Sequence, residues 1–171
     1  LQITDSETAA YFTKTIGSII NITTIVPNII DDKDSRNIVQ ADTHLASMKE
    51  QLGQLRANLN VAFTKNNFVE NDYFNFAVSF GAFNINKNKF LVIAPENVTT
   101  SFKNSFKGEA VDKTFSMIEV AKAKAMEGNF GIDSSIWFSN ASATIDILRN
   151  IEEELYDIVY KQIDSKISDM N

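Results

Sequence analysis

The stretch Leu45-Ala46-Ser47-Met48-Lys49-Glu50-Gln51-Leu52-Gly53-Gln54-Leu55-Arg56-Ala57-Asn58-Leu59-Asn60-Val61-Ala62 decides how this chain folds. Leu45, Met48, Leu52, Leu55, Leu59 and Ala62 step by three and four, the a and d spacing of a helix that presents one apolar seam to its neighbours. The same period carries the helix from about Ser35 to Lys65, and Asn66-Asn67 ends it.

Working upstream, Asp31-Asp32-Lys33-Asp34-Ser35 is a polar break. Before it, Tyr11/Phe12, Ile16, Ile19/Ile20, Thr23 and Val26 mark a helical face over about 5–30, with Pro27 kinking its last turns. Downstream, Glu70-Asn71-Asp72 supplies caps and favourable charge to a helix whose face is Tyr73, Phe76/Ala77, Phe80, Phe83 and Phe90/Leu91. Pro95 suits the first turn of the next segment, an interrupted helix over 95–127 with Val98, Phe102 and Phe106 before Gly108 and Val111, Phe115, Ile118, Ala121 and Ala125 after it. Gly128-Asn129-Phe130-Gly131 stops it, and Asp133 or Ser134/Ser135 caps a last helix running from about Ser134 to Asp169. Its core face is Ile145, Leu148, Ile151, Leu155, Ile158/Val159 and Ile163, and its length is on the order of 50 Å. The expected fold is all-α: an elongated, antiparallel, up-and-down helical bundle, four-helix-bundle-like, with about five helices.

Composition agrees. The 171 residues, 44% of them hydrophobic, suit one domain with a continuous core. Six glycines and two prolines leave few turns and therefore long elements. A net charge of −6, with guanidinium groups only at Arg36, Arg56 and Arg149, argues against nucleic acid or an anionic membrane surface. The absence of cysteine removes disulfides, thiolate nucleophiles and Cys-ligated metals. No apolar run reaches the roughly 20 residues that span a bilayer. Beginning in mid-pattern at Leu1, residues 1–171 are expected to be a single domain excised from a larger protein.

Catalytic constellations are missing. There is no nucleophile elbow, Walker loop or Gly-x-Gly-x-x-Gly, and the chain is read as a non-enzyme without cofactor. The single histidine, His44, flanks the seam and lacks the Glu-x-x-His pattern of a bundle metal site. Asp32, Asp34 and Asn37 resemble part of a calcium loop, but the places that need Gly and Glu hold Asn37 and Thr43, so no metal is expected. Glu152-Glu153-Glu154 reads as a charged helix face with local pairing to Arg149.

Four residues are candidates for ligand binding. Arg56 lies at an e position beside Leu55, with Asn60 one turn on, where a guanidinium can take a carboxylate or another oxyanion bidentately. Asn84 opens a run of Asn84, Asn86 and Asn88 with Lys87 and Lys89 that can rim a small-molecule site. Trp137, in the first turns of the last helix, adds an aromatic that can line a pocket as well as a core.

Three segments carry a resemblance. Ile3-Thr4-Asp5-Ser6-Glu7-Thr8-Ala9-Ala10-Tyr11-Phe12 with Val26-Pro27-Asn28-Ile29-Ile30 resembles an Asp-Pro turn before a tyrosine-bearing helix that ends in Leu-Pro, with Ser6 in place of the proline. Leu52-Gly53-Gln54-Leu55-Arg56-Ala57 is similar to a Leu-Gly-x-Leu-Arg-Gly core, with Ala57 for the last glycine. Gly128-Asn129-Phe130-Gly131-Ile132-Asp133 through Trp137-Phe138-Ser139-Asn140-Ala141-Ser142-Ala143-Thr144-Ile145-Asp146-Ile147-Leu148 looks like an aromatic-Phe, Thr-x-x-Ile-Asp-x-Leu segment opening the final helix, with Ser142 at the threonine. Together they resemble the helical periplasmic sensor region of some bacterial methyl-accepting chemoreceptors and sensor kinases, including relatives of the nitrate- and nitrite-sensing family.

The resemblance implies a homodimeric, periplasmic module of an inner-membrane chemotaxis receptor or sensor kinase, held by flanking membrane segments and relaying small-molecule binding to cytoplasmic signalling domains. It implies that Arg56 contacts an anionic ligand. A module between two membrane spans needs an even number of passes and five are read here, so either the 95–127 helix folds differently with the helix before it or a helix before Leu1 is left out; the resemblance favours the upstream helix. The competing reading is a non-sensing structural or partner-binding bundle.

Overall fold

The computed structural model describes Lys14 and residues 33–169, with the side chains of 159, 160 and 162–169 outside that description. The helix expected over 5–30 therefore lies outside the described residues, Lys14 apart. The described residues form α1 (Lys33–Lys65), α2 (Asp72–Ile93), α3 (Glu96–Ser105), α4 (Glu109–Ala123) and α5 (Ser134–Asp169), with no strand among them. All-α architecture is what the periodicity demanded.

The seam of α1 is as read: Leu45, Met48, Leu52, Leu55, Leu59 and Ala62 are all fully buried. Asp34 in the first turn and Lys65 in the last complement the helix dipole. The helix starts at Lys33, so Asp34 and Asn37 lie within α1. In the loop that follows, Asn66 and Glu70 both take positive φ, at 55° and 50°. Asparagine tolerates that region better than most residues because its short amide can bond locally.

Side-chain pairs fix the direction of packing. Ser79 Oγ of α2 donates to Gln54 Oε1 of α1, and His44 Nδ1 meets Asn86 Oδ1 at 3.0 Å, so α2 runs antiparallel to α1. Trp137 Nε1 donates to the Arg56 carbonyl while Lys49 pairs with Glu152, so α5 also runs antiparallel to α1. Thr114 and Thr144 exchange a buried hydroxyl hydrogen bond of 2.9 Å between α4 and α5, and Phe90 packs on Phe102 across α2 and α3. The described residues thus make four antiparallel passes, α3 and α4 sharing one.

That shared pass is the interrupted helix expected over 95–127. Its first break is set by Pro95, which holds Ala94 extended (φ −65°, ψ 146°) and whose carbonyl accepts the first bond of α3 from Thr99 at 2.9 Å. The second lies at Phe106-Lys107-Gly108, where Gly108 has φ 105°. Helix α4 ends at Ala123, leaving Ala125 in the turn beyond. Gly128 is required by contact as well as by its φ of 65°, since a Cβ there would lie 2.9 Å from the Asn66 carbonyl oxygen. This contact ties the α1–α2 and α4–α5 loops together at one end of the bundle.

On α2 the core face is narrower than its aromatics suggested. Phe76, Phe83 and Phe90, seven residues apart, are buried, whereas Tyr73 is 42% exposed and Phe74 68%. Around Phe63, a cluster of Phe68, Phe130 and Trp137 closes the loop end with edge-on ring contacts near 5.5 Å. Leu148, Ile151 and Leu155 of α5 complete the core, with Ile145 and Ile158 half-buried, and Val159 and Ile163 outside the described side chains.

Candidate functional site

Helix α5 opens where the sequence places its caps. Asp133 Oδ1 accepts from the Ser135 backbone N–H at 2.7 Å and its hydroxyl at 2.6 Å, and those bonds hold the Asp133 carboxyl below its ordinary range. The capped first turns lie against the second half of α1. There an open groove of about 720 Å³ is lined by Asn60 of α1 and by Ser135, Phe138, Ser139, Ser142 and Asp146 of α5, among others.

Arg56 stands beside this groove, with Nη1 donating to Ser142 Oγ at 2.8 Å and the guanidinium 4.7 Å above the Phe138 ring. Stacking covers one face of the cation and orients it without a counter-charge. No carboxylate among the described residues forms an ion pair with it. A guanidinium has five N–H donors, so most of its hydrogen-bonding capacity is open to a ligand. Asp146, the carboxylate lining the groove, is engaged by Arg149 at 3.0 Å.

Asn60 lines the groove, Arg56 stands one turn before it on α1, and Trp137 is tied to the α1 backbone at Arg56. Trp137 is fully buried, and its indole N–H donates to the Arg56 carbonyl at 2.9 Å, so it supports the helix that carries Arg56. Asn84 is apart from this groove: its amide donates to the Phe80 carbonyl of its own helix. Its neighbour Asn86 bonds Ala82 and His44, while Asn88 and Lys89 edge a separate apolar groove of about 340 Å³ with His44, Val92 and Ile93.

Ser135, Ser139, Ser142 and Phe138 were not singled out as site residues. Their signal was present, because 135, 139 and 142 step by four and three along one face. Which α1 residue they meet depends on the register between two helices distant in sequence.

The reading of Glu152-Glu153-Glu154 as one solvated face needs correction. Glu152 is buried against α1 and pairs with Lys49, Glu154 accepts from Ser101, and Arg149 turns to Asp146. Asp42 is drawn into the same seam. Burial, aided by the charge of Glu152, pushes its carboxyl up to about 6, against the opposing effects of Lys49 and a hydrogen bond from Tyr156.

Among the described residues no cluster of three or more His, Asp or Glu could hold a metal ion. Nor is any of their helices long and apolar enough to cross a membrane.

In comparisons with known proteins, the family model described as nitrate and nitrite sensing matches residues 1–159. No curated protein and no solved structure matches the chain.

Proposed function

The chain belongs to the nitrate and nitrite sensing family, and on that premise we propose that it binds nitrate or a related small oxyanion at Arg56. In this reading the domain is the extracytoplasmic part of a homodimeric bacterial receptor, a chemotaxis receptor or a sensor kinase, anchored by flanking membrane segments. Its output is a displacement of α5 relayed to cytoplasmic signalling domains.

The observation that carries the reading is the state of Arg56 beside an open groove: stacked on Phe138, bonded to one hydroxyl, and in no ion pair with a carboxylate among the described residues. Nitrate and nitrite are planar anions whose oxygens match the in-plane fork of a guanidinium, so two parallel charge-assisted hydrogen bonds can form. Phe138 blocks one face of the fork, which directs an anion to its edge. Asn60 and the hydroxyl of Ser139 line the same groove and supply neutral donors for the remaining oxygen, whereas the Ser135 hydroxyl is spent on Asp133.

Binding at this point bears on α5 directly. Ser142 and Phe138, both on α5, hold the cation, so an anion drawn to the free N–H groups of the guanidinium acts on the contacts by which α5 holds it. From there α5 extends to Asp169, about 40 Å further on. The family is defined by sensing, and the groove as built suits reversible capture of an anion.

A thermal-unfolding screen tests the proposal. Sodium nitrate and nitrite at about 100 times Kd are expected to stabilise the domain by about 2.7 kcal/mol, a rise of roughly 5–11 °C in Tm for a domain of this size. Chloride at equal ionic strength gives no saturable rise. Saturable stabilisation by short carboxylates or amino acids and none by nitrate or nitrite would overturn the assignment of ligand class.

A further inference from the structure

The stripe of α1 that faces α5 repeats every seven residues as Asp42, Lys49 and Arg56, each about 10 Å from the next. Lys49 bridges to Glu152 across the seam, with only 23% and 12% of the two side chains exposed. Asp42, one heptad before Lys49, adds a second carboxylate to the seam, within the electrostatic reach of both Lys49 and Glu152. Its Oδ1 is buried and has no hydrogen-bond partner among the described residues. The titratable groups that act on Asp42 are Lys49 on α1 and Glu152 and Tyr156 on α5, and none from α2, α3 or α4 does so among the described residues.

Two carboxylates and one ammonium in a seam withdrawn from water carry an excess negative charge. Repulsion between the carboxylates and the desolvation of Oδ1 both fall when one proton is taken up. We propose that the Asp42–Lys49–Glu152 cluster is a proton-binding site that makes the α1–α5 seam sensitive to pH. With Asp42 neutral, Glu152 alone pairs with Lys49 and the seam is tight. With Asp42 ionised, two like charges oppose each other across it and the seam loosens.

The carboxyl titrating at about 6 rather than 3.8 agrees with that arrangement. A folded-state value raised above the unfolded one stabilises the fold below pH about 4, and that contribution is lost as pH rises through about 6. Because Arg56 continues the stripe, the proton also bears on the groove, a step that rests on the proposed anion site. The proton site itself does not.

The first arm of the test uses no anion. In thermal unfolding from pH 4 to 8, the Tm of the wild-type domain should fall relative to Asp42→Asn as pH rises, with the difference concentrated between pH 4 and 6. Independently of whether that variant folds, the Asp42 carboxyl carbon in the wild-type NMR spectrum should titrate with a midpoint near 6. Parallel Tm profiles, or a midpoint near 4, would overturn the proposal.

The second arm uses sodium nitrate as the probe. Affinity about fivefold tighter at pH 5.5 than at 7.5, lost in Asp42→Asn, shows coupling to Arg56, whereas pH-independent affinity refutes that coupling. If nitrate does not bind at all, the anion reading fails while the first arm still judges the proton site.

Discussion

Replacing Trp137 with alanine is expected to cost about 3–5 kcal/mol of folding free energy, the range for removing a fully buried large aromatic. Trp137 has no exposed surface, packs edge-on against Phe63 with centroids 5.5 Å apart, and spends its one donor on the Arg56 carbonyl. For a domain of this size the loss corresponds to a Tm lower by roughly 6–20 °C, measurable by calorimetry or urea unfolding. Trp137→Phe keeps part of the ring packing and removes the hydrogen bond, worth about 1 kcal/mol, together with the packing of the lost part of the indole, so its loss of stability should fall between wild type and Trp137→Ala. If Trp137 were instead a ligand contact, alanine there would leave the apo protein near wild-type stability.

Replacing Arg56 with alanine is expected to weaken nitrate binding by at least about 10–100-fold, the contribution of a single hydrogen bond to a charged group at about 1.5–3 kcal/mol, with two such bonds available. Isothermal titration of the folded variant reads the loss. Stability should change little: Arg56 is half-buried and gives up one bond to a hydroxyl and one ring contact, neither of them within the apolar seam. Arg56→Lys is also expected to bind weakly, because an ammonium keeps the charge but lacks the planar fork. Unchanged affinity in Arg56→Ala would remove Arg56 from the site.

These two expectations mark where the sequence was informative. The pattern on α1 reads directly because none of its six seam residues is β-branched, its flanks are polar, and its period is unbroken for six positions. The opening of α5 was equally plain, since Gly128, Gly131 and Asp133 each have a local reason to sit where they do. The register of α2 was harder: Tyr73, Phe74, Phe76, Phe80 and Phe83 spread aromatics over about half of the helix circumference, and only packing against Phe102, Phe106 and Phe115 selects the buried face. The same aromatic packing flanks the break between α3 and α4, where Gly108 alone signalled an interruption without fixing its limits.

The site was legible in part for the same reason. Arg56 and Asn60 stand out as polar residues on the edge of an apolar helix. Phe138 and Ser142 become their partners only through the pairing of α1 with α5, more than 80 residues away along the chain. Asp42 and Glu152 were hidden by the same distance, and a run of three glutamates looked solvated until one of them was placed against Lys49. Trp137 drew notice for its chemistry, and the fold gives it a supporting place below the groove.

The most direct test of the central claim uses the scarcity of arginine. With only Arg36, Arg56 and Arg149 in the chain, the side-chain Nε–H region of a ¹⁵N spectrum holds three guanidinium signals, and Arg56→Lys identifies one of them. Titration with sodium nitrate at constant ionic strength is predicted to give its largest, saturable shift at Arg56, with no such shift from chloride. A saturable nitrate response centred on Arg36 or Arg149 with Arg56 unmoved, or no saturable response from a folded domain, would contradict the account.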